Sequence, residues 1–582
     1  MIRKIPVKME YLVALLALAA GLYSQSSAIV NAYVINDDAM QHIYWMRQFQ
    51  SPGLFKDDLL TENARHWLPW GLIFFYYAGS FLIDPVMISK LAPLFLFPLS
   101  SAFAYGLVKR ITGSRYISFL AAVIFIFTAT FFQSMIGGHP RAFGFPLLIM
   151  FLYYLVTKRY PAAAVVMIAQ SLFYPVVFLL SSLTCLCTFI QRKDKKIIID
   201  RSRTRALFFG GAILAGCSLL IGEYAVSDNP RLGSLITREA AAGRPENYEK
   251  GRFRIMPISP LFEQVKYNLK ESIFGYRMIE YLKERAVMSG VVRKYEEIVE
   301  PRRPGLSVTD EIALVIFIFL LAAGIGKKIR FPPEIYYLLF SGIVLYWLSS
   351  LVLFKLYRPE RYVEYSFRIA GLIFFSVISG RLIEGIRQPK VKTFFRAVPI
   401  VLACLFFRAN RGLALTDLSS NRELYEYLRG LPEEAMIAAH PCLADGVPLF
   451  SRKKVFINFE LSNPWYGGYW ETIRKRTLAF FDAYYSENPA AVYQFCRQNE
   501  IDYVMVDEKH FQKDYLDDGK VYFEPFQGYI SRLVKERKNF ILPRMEEKDL
   551  LFHKNGITVI HRDAFGDRHD FNRRSEKGQL DS

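Results

Sequence analysis

Long apolar stretches separated by short polar segments recur between residues 11 and 407, and none follows residue 417. A helix needs about 20 apolar residues to cross the hydrocarbon core of a bilayer, where backbone polar groups must pair within the segment. The pattern predicts a polytopic α-helical membrane protein over residues 1–413, with about eleven spans, some short enough to need bilayer thinning. The predicted spans are residues 11–30, 86–108, 116–135, 143–157, 162–173, 175–190, 206–227, 309–326, 334–354, 365–380 and 397–407.

The segment after residue 417 alternates helix and strand signals instead, and predicts a soluble α/β domain over residues 417–561. Ligands in such sheets favour the carboxyl ends of strands, where His440 follows one predicted strand, although a capping or turn role is the alternative. Cys442 and Cys496 would pair only in an oxidising compartment, and the sequence does not give their separation. The polar residues 562–582 predict a disordered tail.

Charge changes the picture by giving an orientation. The chain has 73 Lys and Arg residues against 54 Asp and Glu, a net charge of +19, and the basic residues concentrate in short loops between apolar stretches. Short basic loops face the cytoplasm, so this charge indicates topology and not a nucleic-acid partner. The N-terminus is then cytoplasmic, and an odd number of spans places the C-terminal domain outside. We expect a bacterial cytoplasmic (inner) membrane protein.

Two apolar segments allow more than one interpretation. Residues 67–83 are apolar enough to span, but counting them would move the later basic loops outside, so an interfacial or re-entrant segment with aromatic anchors is predicted. The first apolar stretch has the basic start of a secretory signal. Because it continues past Ser26 and Ser27, a retained span is favoured.

The outer face collects the polar segments with candidate chemistry. These include a first outer loop at residues 31–66 and a long outer loop at residues 228–308, which predicts an amphipathic helix from residue 261. Loops of that length are usually functional or cover a site. The arrangement suits an enzyme that works at the outer leaflet.

The first outer loop opens with the acidic pair Asp37 and Asp38, and His42 follows four residues after Asp38. In a short helix, positions four apart share one face, so Asp38 and His42 would combine a base with an orienting partner. The alternative is that Asn36 or Asp37 only caps this helix, since Asn and Asp are preferred N-cap residues.

Arginine residues at the outer ends of spans are candidate phosphate ligands. Arg141 follows His139 in an outer turn, and Arg358 and Arg361 precede Tyr362 at the start of another span. Planar guanidinium groups bind phosphate with two parallel hydrogen bonds. The alternative is that these side chains extend toward lipid headgroups. His42, His139 and Tyr362 are candidates for orienting or contacting a substrate.

This layout resembles the GT-C superfamily of membrane glycosyltransferases, which includes protein O-mannosyltransferases, aminoarabinose transferases and oligosaccharyltransferase catalytic subunits. The resemblance covers the membrane part through a first span, an outer loop with an acidic pair and an aromatic interfacial block. It implies that Asp37 or Asp38 is the catalytic base or a metal-binding residue, and similarity to the Asp-Glu pair of the mannosyltransferases favours Asp37. It also implies a sugar donor carried on a polyprenyl phosphate.

Two further features bear on the chemistry. The segment 463–470 has some similarity to the Trp-Trp-Asp-Tyr-Gly acceptor motif of oligosaccharyltransferases, but it lacks the central Asp. Trp465 in that segment is a candidate for sugar stacking, with a packed aromatic cluster as the alternative. Asp37, Asp38 and His139 would suit Mg²⁺ or Mn²⁺, although no dense ligand motif is present and metal dependence stays open.

Sugar transfer from a phosphate carrier needs a base for the proton of the nucleophile and cations for the departing phosphate. Asp37 or Asp38 with Arg141, Arg358 and Arg361 supplies both. We therefore predict a membrane glycosyltransferase that uses an inverting displacement and a polyprenyl-phosphate-linked donor, with a glycan, lipid or protein as acceptor. A transporter or flippase of lipid-linked sugars, or a catalytically inactive scaffold of the same fold, is the alternative.

Overall fold

The computed structural model describes residues 9–193, 196–199, 202–226, 229–272, 329–407, 410–517 and 520–566. Among the described residues, the part before residue 408 is predominantly helical. Its helices are α1 (Met9–Val30), α2 (Asp37–His42), α3 (Leu59–His66), α4 (Trp70–Ser80), α5 (Pro85–Thr112), α6 (Arg115–Phe127), α7 (Ala129–Met135), α8 (Gly144–Val156), α9 (Tyr160–Phe173), α10 (Pro175–Cys187), α11 (Arg203–Val226), α12 (Arg238–Ala242), α13 (Leu261–Glu271), α14 (Pro333–Leu351), α15 (Glu360–Glu384) and α16 (Pro389–Phe407).

Among the described residues, five helices are long and apolar enough to cross a membrane, namely α1, α5, α11, α14 and α15, and each coincides with a predicted span. A sixth span arises if α6 and α7, which meet at a bend of 61°, are counted together. The predicted spans near 143–157, 162–173 and 175–190 form α8, α9 and α10, which have 13, 14 and 13 residues. At 1.5 Å per residue these helices reach roughly 20 Å, short of the hydrocarbon thickness of about 30 Å.

The protein therefore has the helices of an integral membrane protein, while the total of eleven spans stays a prediction. The predicted span at 309–326 lies outside the described residues. Residues 67–83 form α4, whose 11 residues would cover only about 16 Å, too short to cross a bilayer. The helix predicted from residue 261 is α13, which packs against α15.

A five-stranded sheet dominates the C-terminal region. Its strands β5 (Met436–Ala439), β6 (Lys454–Val455), β7 (Tyr503–Asp507), β8 (Leu550–Lys554) and β9 (Ile557–His561) lie in the order β6-β5-β7-β9-β8. The strands β6, β5 and β7 are parallel, and β9 and β8 are antiparallel to their neighbours. The surrounding helices are α17 (Arg422–Arg429), α18 (Pro441–Ala444), α19 (Val447–Ser451), α20 (Gly467–Tyr484), α21 (Pro489–Gln498), α22 (Lys513–Asp517) and α23 (Phe526–Glu536).

The hairpin of β8 and β9 adds two strands that the sequence analysis did not predict. A 3₁₀ helix at Arg562–Phe565 follows β9 and packs against α21, where the tail was predicted to begin, and residues 567–582 lie outside the described part. Cys442 and Cys496 are both free thiols. A separate small hairpin, β2 (Ile190–Lys193) with β3 (Lys196–Ile199), connects α10 to α11.

Residues 31–66, the predicted first outer loop, are bound to the chain that follows α16. Strand β1 (Val34–Ile35) pairs with β4 (Thr416–Asp417) in antiparallel register. The Asn36 side-chain amide donates to the Ala414 carbonyl oxygen at 2.9 Å. On the far side of α2, the buried Asn458 amide donates to Gln41 Oε1 at 2.9 Å. The loop is thus held between the bundle and the C-terminal sheet region.

A glycine pair brings the turn before α8 against this loop. Gly137 and Gly138 have φ values of +87° and +60°, a region in which side chains other than glycine are strained. A Cβ at Gly137 would collide with Asn36 Oδ1, and the Tyr76 hydroxyl donates to the Gly138 carbonyl oxygen at 2.9 Å. The residues that follow, His139 to Arg141, are therefore placed beside α2.

We expect Gly137→Ala to destabilise the protein more than Gly113→Ala. Gly113 has a φ of +71° but open space around its would-be Cβ, so its replacement costs only the backbone strain of about 1–2 kcal/mol. At Gly137 the new Cβ would also displace the Asn36 side chain, which adds to the same backbone strain. Thermal unfolding of the two variants in detergent measures the difference, and equal midpoints would contradict the close contact with Asn36.

Two histidines lie against each other at the carboxyl ends of β5 and β7. The rings of His440 and His510 have centroids 4.2 Å apart, and the side chains are 1% and 4% exposed. Burial lowers the pKa of His440 to about 3, and burial together with the neighbouring His440 charge lowers the pKa of His510 well below its usual value. Lys509 acts in the same direction on both. Both rings are neutral at neutral pH.

We expect the C-terminal region to lose stability on acidification from about pH 6.5 toward pH 3. In that window the unfolded chain binds protons at both histidines and the folded chain does not, so the free energy of unfolding falls by up to about 1.4 kcal/mol per pH unit for each ring. Unfolding monitored by tryptophan fluorescence between pH 7 and 4 tests this. His440→Gln with His510→Gln should flatten the slope, and an unchanged slope in this double variant would contradict the role of the two histidines.

Candidate active site

The site is built on the start of α2. Asn36 has extended backbone angles and its side-chain oxygen accepts from the Ala39 amide at 3.1 Å, so Asn36 is the N-cap. With the cap supplied by Asn36, the carboxylate of Asp38 is directed to the outer turn that contains His139 and Arg141. Asp38 and His42 are four residues apart in α2, as the predicted shared face requires.

One oxygen of Asp38 carries the central contacts. Asp38 Oδ2 lies 2.8 Å from Arg141 Nη2 and 3.0 Å from His139 Nε2. The Asp38 side chain is 36% exposed, whereas that of His139 is 8% exposed. Arg141 donates a charge-assisted hydrogen bond to this oxygen, a strong and short kind, whereas His139 is held at ion-pair distance. The carboxylate is therefore fixed in position and still reachable from the surface of the protein.

The protonation states follow from these contacts. Burial would raise the pKa of Asp38, but the charge of Arg141 and the contact with His139 outweigh it and hold this pKa well below its usual value. Burial lowers the pKa values of His139 and His42, against the opposing attraction of Asp38. At neutral pH the site therefore contains an ionised Asp38, a cationic Arg141 and two neutral imidazoles.

Asp37 occupies a different position. Its side chain is exposed, and Asp37 Oδ1 accepts from the Asp38 amide at 3.0 Å and from the Asn36 side-chain amide at 3.1 Å. A carboxylate at this place stabilises the positive end of the helix dipole. The sequence favoured Asp37 as the base, but the contacts with Arg141 and His139 belong to Asp38.

Arg361 stands next to this group at the start of α15. Arg361 Nη1 donates to Glu364 Oε2 at 2.8 Å, and the charges of Arg361 and Arg141 are close enough to act on each other. The Tyr365 hydroxyl lies 3.5 Å from the Arg141 carbonyl oxygen and joins α15 to the outer turn. The Nε groups of Arg141 and Arg361 are buried and have no acceptor among the described residues. Buried N–H donors are normally hydrogen-bonded, so this pair favours an anionic ligand.

The other two residues at the start of this span have local partners. Arg358 Nε donates to Glu360 Oε1 at 2.9 Å. The side chain of Tyr362 is fully buried, and its hydroxyl donates to the Leu356 carbonyl oxygen at 2.6 Å. These contacts fix the turn that precedes α15.

Trp465 lies within a packed aromatic cluster and is 8% exposed. The rings of Phe253 and Phe354 have centroids 4.5 Å from it, and Trp67 approaches at 6.2 Å. The cluster joins the long outer loop, the turn before α15 and the C-terminal region. Trp465 is thus packed in an aromatic cluster, and protein covers most of its ring surface.

The residues around Asp38 do not form a ligand set for a divalent cation. Within the described ranges, no group of three or more His, Cys, Asp and Glu side chains is arranged to hold a metal ion. Asp38 Oδ2, the natural ligand atom, instead contacts the guanidinium of Arg141.

The sequence analysis missed three residues behind Arg361. Glu364 Oε1 accepts from Arg368 Nη1 at 2.8 Å, and Arg368 Nε donates to Asn268 Oδ1 in α13 at 2.8 Å. The spacing of Arg361, Glu364 and Arg368 along the chain, three and then four residues, was the available signal. Positions so spaced lie on one face of a helix, and three charges there in an apolar segment indicate a buried ionic group.

No family model and no curated protein sequence matches this chain. Similar solved structures include the oligosaccharyltransferase of Archaeoglobus fulgidus in the apo form, with 11% identity over 91% of this chain and 73% of that chain and a TM-score of 0.48. ArnT from Cupriavidus metallidurans bound to undecaprenyl phosphate has 11% identity over 95% of this chain and 97% of that chain, with a TM-score of 0.46. These neighbours are of the GT-C type that the first outer loop resembles, and at TM-scores below 0.5 the activity of this chain is inferred from its own residues.

Proposed function

We propose that the protein is a membrane glycosyltransferase that moves a sugar from a polyprenyl-phosphate-linked donor to an acceptor at the extracytoplasmic face. The observation that carries this proposal is an ionised, reachable Asp38 in contact with Arg141, with the charge of Arg361 close to that of Arg141. Both arginines have a buried Nε with no protein acceptor in the described part of the chain. A base and an anion-binding pair are the two elements that this reaction requires.

In the proposed reaction, the hydroxyl or amine of the acceptor attacks the anomeric carbon from the side opposite the phosphate. The bond between that carbon and the phosphate oxygen breaks, and the electron pair leaves with the phosphate, which Arg141 and Arg361 bind. Asp38 takes the proton of the nucleophile as the new bond forms. The configuration at the anomeric carbon is inverted because the attack occurs in a single displacement.

Arg141 contacts Asp38 and, in this proposal, also binds the donor phosphate, so it couples donor binding to the basicity of Asp38. With its pKa held low by Arg141, Asp38 is a weak base before the donor binds. A phosphate on Arg141 brings negative charge close to Asp38 and offsets part of the arginine field, which raises the pKa of Asp38. Donor binding thus makes Asp38 a better proton acceptor at the stage when one is needed.

The remaining parts of the hypothesis stay predictions. A requirement for Mg²⁺ or Mn²⁺ is one of them. Arg358 lies outside the proposed phosphate site because its Nε already donates to Glu360, whereas the Nε of Arg141 and that of Arg361 have no acceptor among the described residues.

We expect Asp38→Asn to lower kcat for sugar transfer by about 100-fold or more, the usual contribution of a positioned base. Asp37→Asn is the matched control, since it makes the same change one residue away and should reduce transfer only a few-fold. The measurement is transfer from a radiolabelled polyprenyl-phosphate sugar in proteoliposomes. Normal transfer by the Asp38→Asn protein would exclude Asp38 as the base, and movement of the lipid-linked sugar across the bilayer without transfer would support the transporter alternative.

We expect Arg361→Gln to weaken binding of undecaprenyl phosphate by about tenfold or more, because a charge-assisted hydrogen bond contributes about 1.5–3 kcal/mol. Arg358→Gln removes a guanidinium three residues earlier and should have little effect. The shift of the unfolding midpoint on addition of undecaprenyl phosphate reports the affinity, with the uncharged undecaprenol as a lipid control. Equal loss in the two variants would contradict a specific phosphate site at Arg361.

A further inference from the structure

A row of buried polar side chains extends from Arg361 into the helical bundle. The carboxylate of Glu364 binds Arg361 through Oε2 and Arg368 through Oε1, both at 2.8 Å, and Arg368 continues to Asn268 at 2.8 Å. Exposure falls along the row, from 17% for the Arg361 side chain to 13% for Glu364 and 8% for Arg368. The side chains thus form one connected group that is open at the Arg361 end.

The charges in this group do not cancel. Two guanidinium groups face one carboxylate, which leaves a surplus of one positive charge beside the Arg141 and Asp38 pair. A buried surplus charge is costly unless an opposite charge approaches it. The group therefore favours an anion at its open end, where the Arg361 Nε has no acceptor among the described residues.

The geometry also limits how Arg361 can move. An arginine side chain loses rotational entropy when it is fixed, so a ligand that must first order it binds more weakly. Because each Glu364 oxygen is used by one guanidinium, Arg368 keeps the carboxylate from rotating away from Arg361. Asn268 holds Arg368 in turn and belongs to α13 of the long outer loop.

We infer that Glu364 is a positioning residue, which with Arg368 fixes the Arg361 guanidinium for the phosphate of the donor and connects that site to helix α13. This inference rests on the proposed function. Glu364 itself does not touch the donor in this scheme, and it acts through Arg361.

The test compares Glu364→Gln with Glu384→Gln. Glu384 lies on the same helix and also pairs with an arginine three residues earlier, Arg381, at 3.6 Å. We expect Glu364→Gln to weaken undecaprenyl phosphate binding and to raise the KM for the donor, each about tenfold, while kcat changes less than threefold. Glu384→Gln should change neither quantity. A residue with only a structural role would lower the unfolding midpoint without this selective effect on the donor.

Arg368→Lys provides a second variant that keeps the charge and removes the two-sided hydrogen bonding. It should raise the KM for the donor several-fold, and it applies even if Glu364→Gln does not fold. If Glu364→Gln and Arg368→Lys both keep the KM for the donor while Arg361→Gln still binds phosphate weakly, the positioning role of Glu364 is overturned and the proposed phosphate site is not. Normal phosphate binding by Arg361→Gln would instead overturn the proposed phosphate site.

Discussion

The contact of one Asp38 oxygen with Arg141 and His139 is the interaction on which the outer site depends. It joins two segments that are 103 residues apart in the chain, the first outer loop and the turn before α8. Local structure positions both segments: the Asn36 cap orients the start of α2, and the positive φ angles of Gly137 and Gly138 shape the turn. Without either feature the carboxylate and the guanidinium would not meet, and Asp38 would have the acidity of an ordinary surface carboxylate.

Much of the membrane part was predictable because one physical rule dominates there. Apolar length identified the positions of α1, α5, α11, α14 and α15, since a segment in hydrocarbon must satisfy its own backbone. The rule is weaker for α8, α9 and α10, where packing against other helices replaces length as the reason for apolar composition.

The site was predictable in part. Helical spacing placed Asp38 and His42 on one face, and guanidinium chemistry singled out Arg141 and Arg361. The choice between Asp37 and Asp38 depended on which side chain faces the turn that contains Arg141. This is a tertiary contact, and the local sequence around two adjacent aspartates does not predict it. Glu364 was overlooked because its role appears only through its two partners. The β8–β9 hairpin had a readable signal, the Asn555-Gly556 turn with φ values of +54° and +72°, between two alternating segments.

The pairing of β1 with β4 has a consequence for biogenesis. Asn36 and Ala414, which are joined by a hydrogen bond beside this ladder, are separated by 378 positions, so the ribosome adds the second long after the first. At about 5–20 residues per second the interval is tens of seconds. During that time β1 lacks its partner strand, and the early helices can be inserted in a bilayer well before the segment around Asn36 has its final contacts.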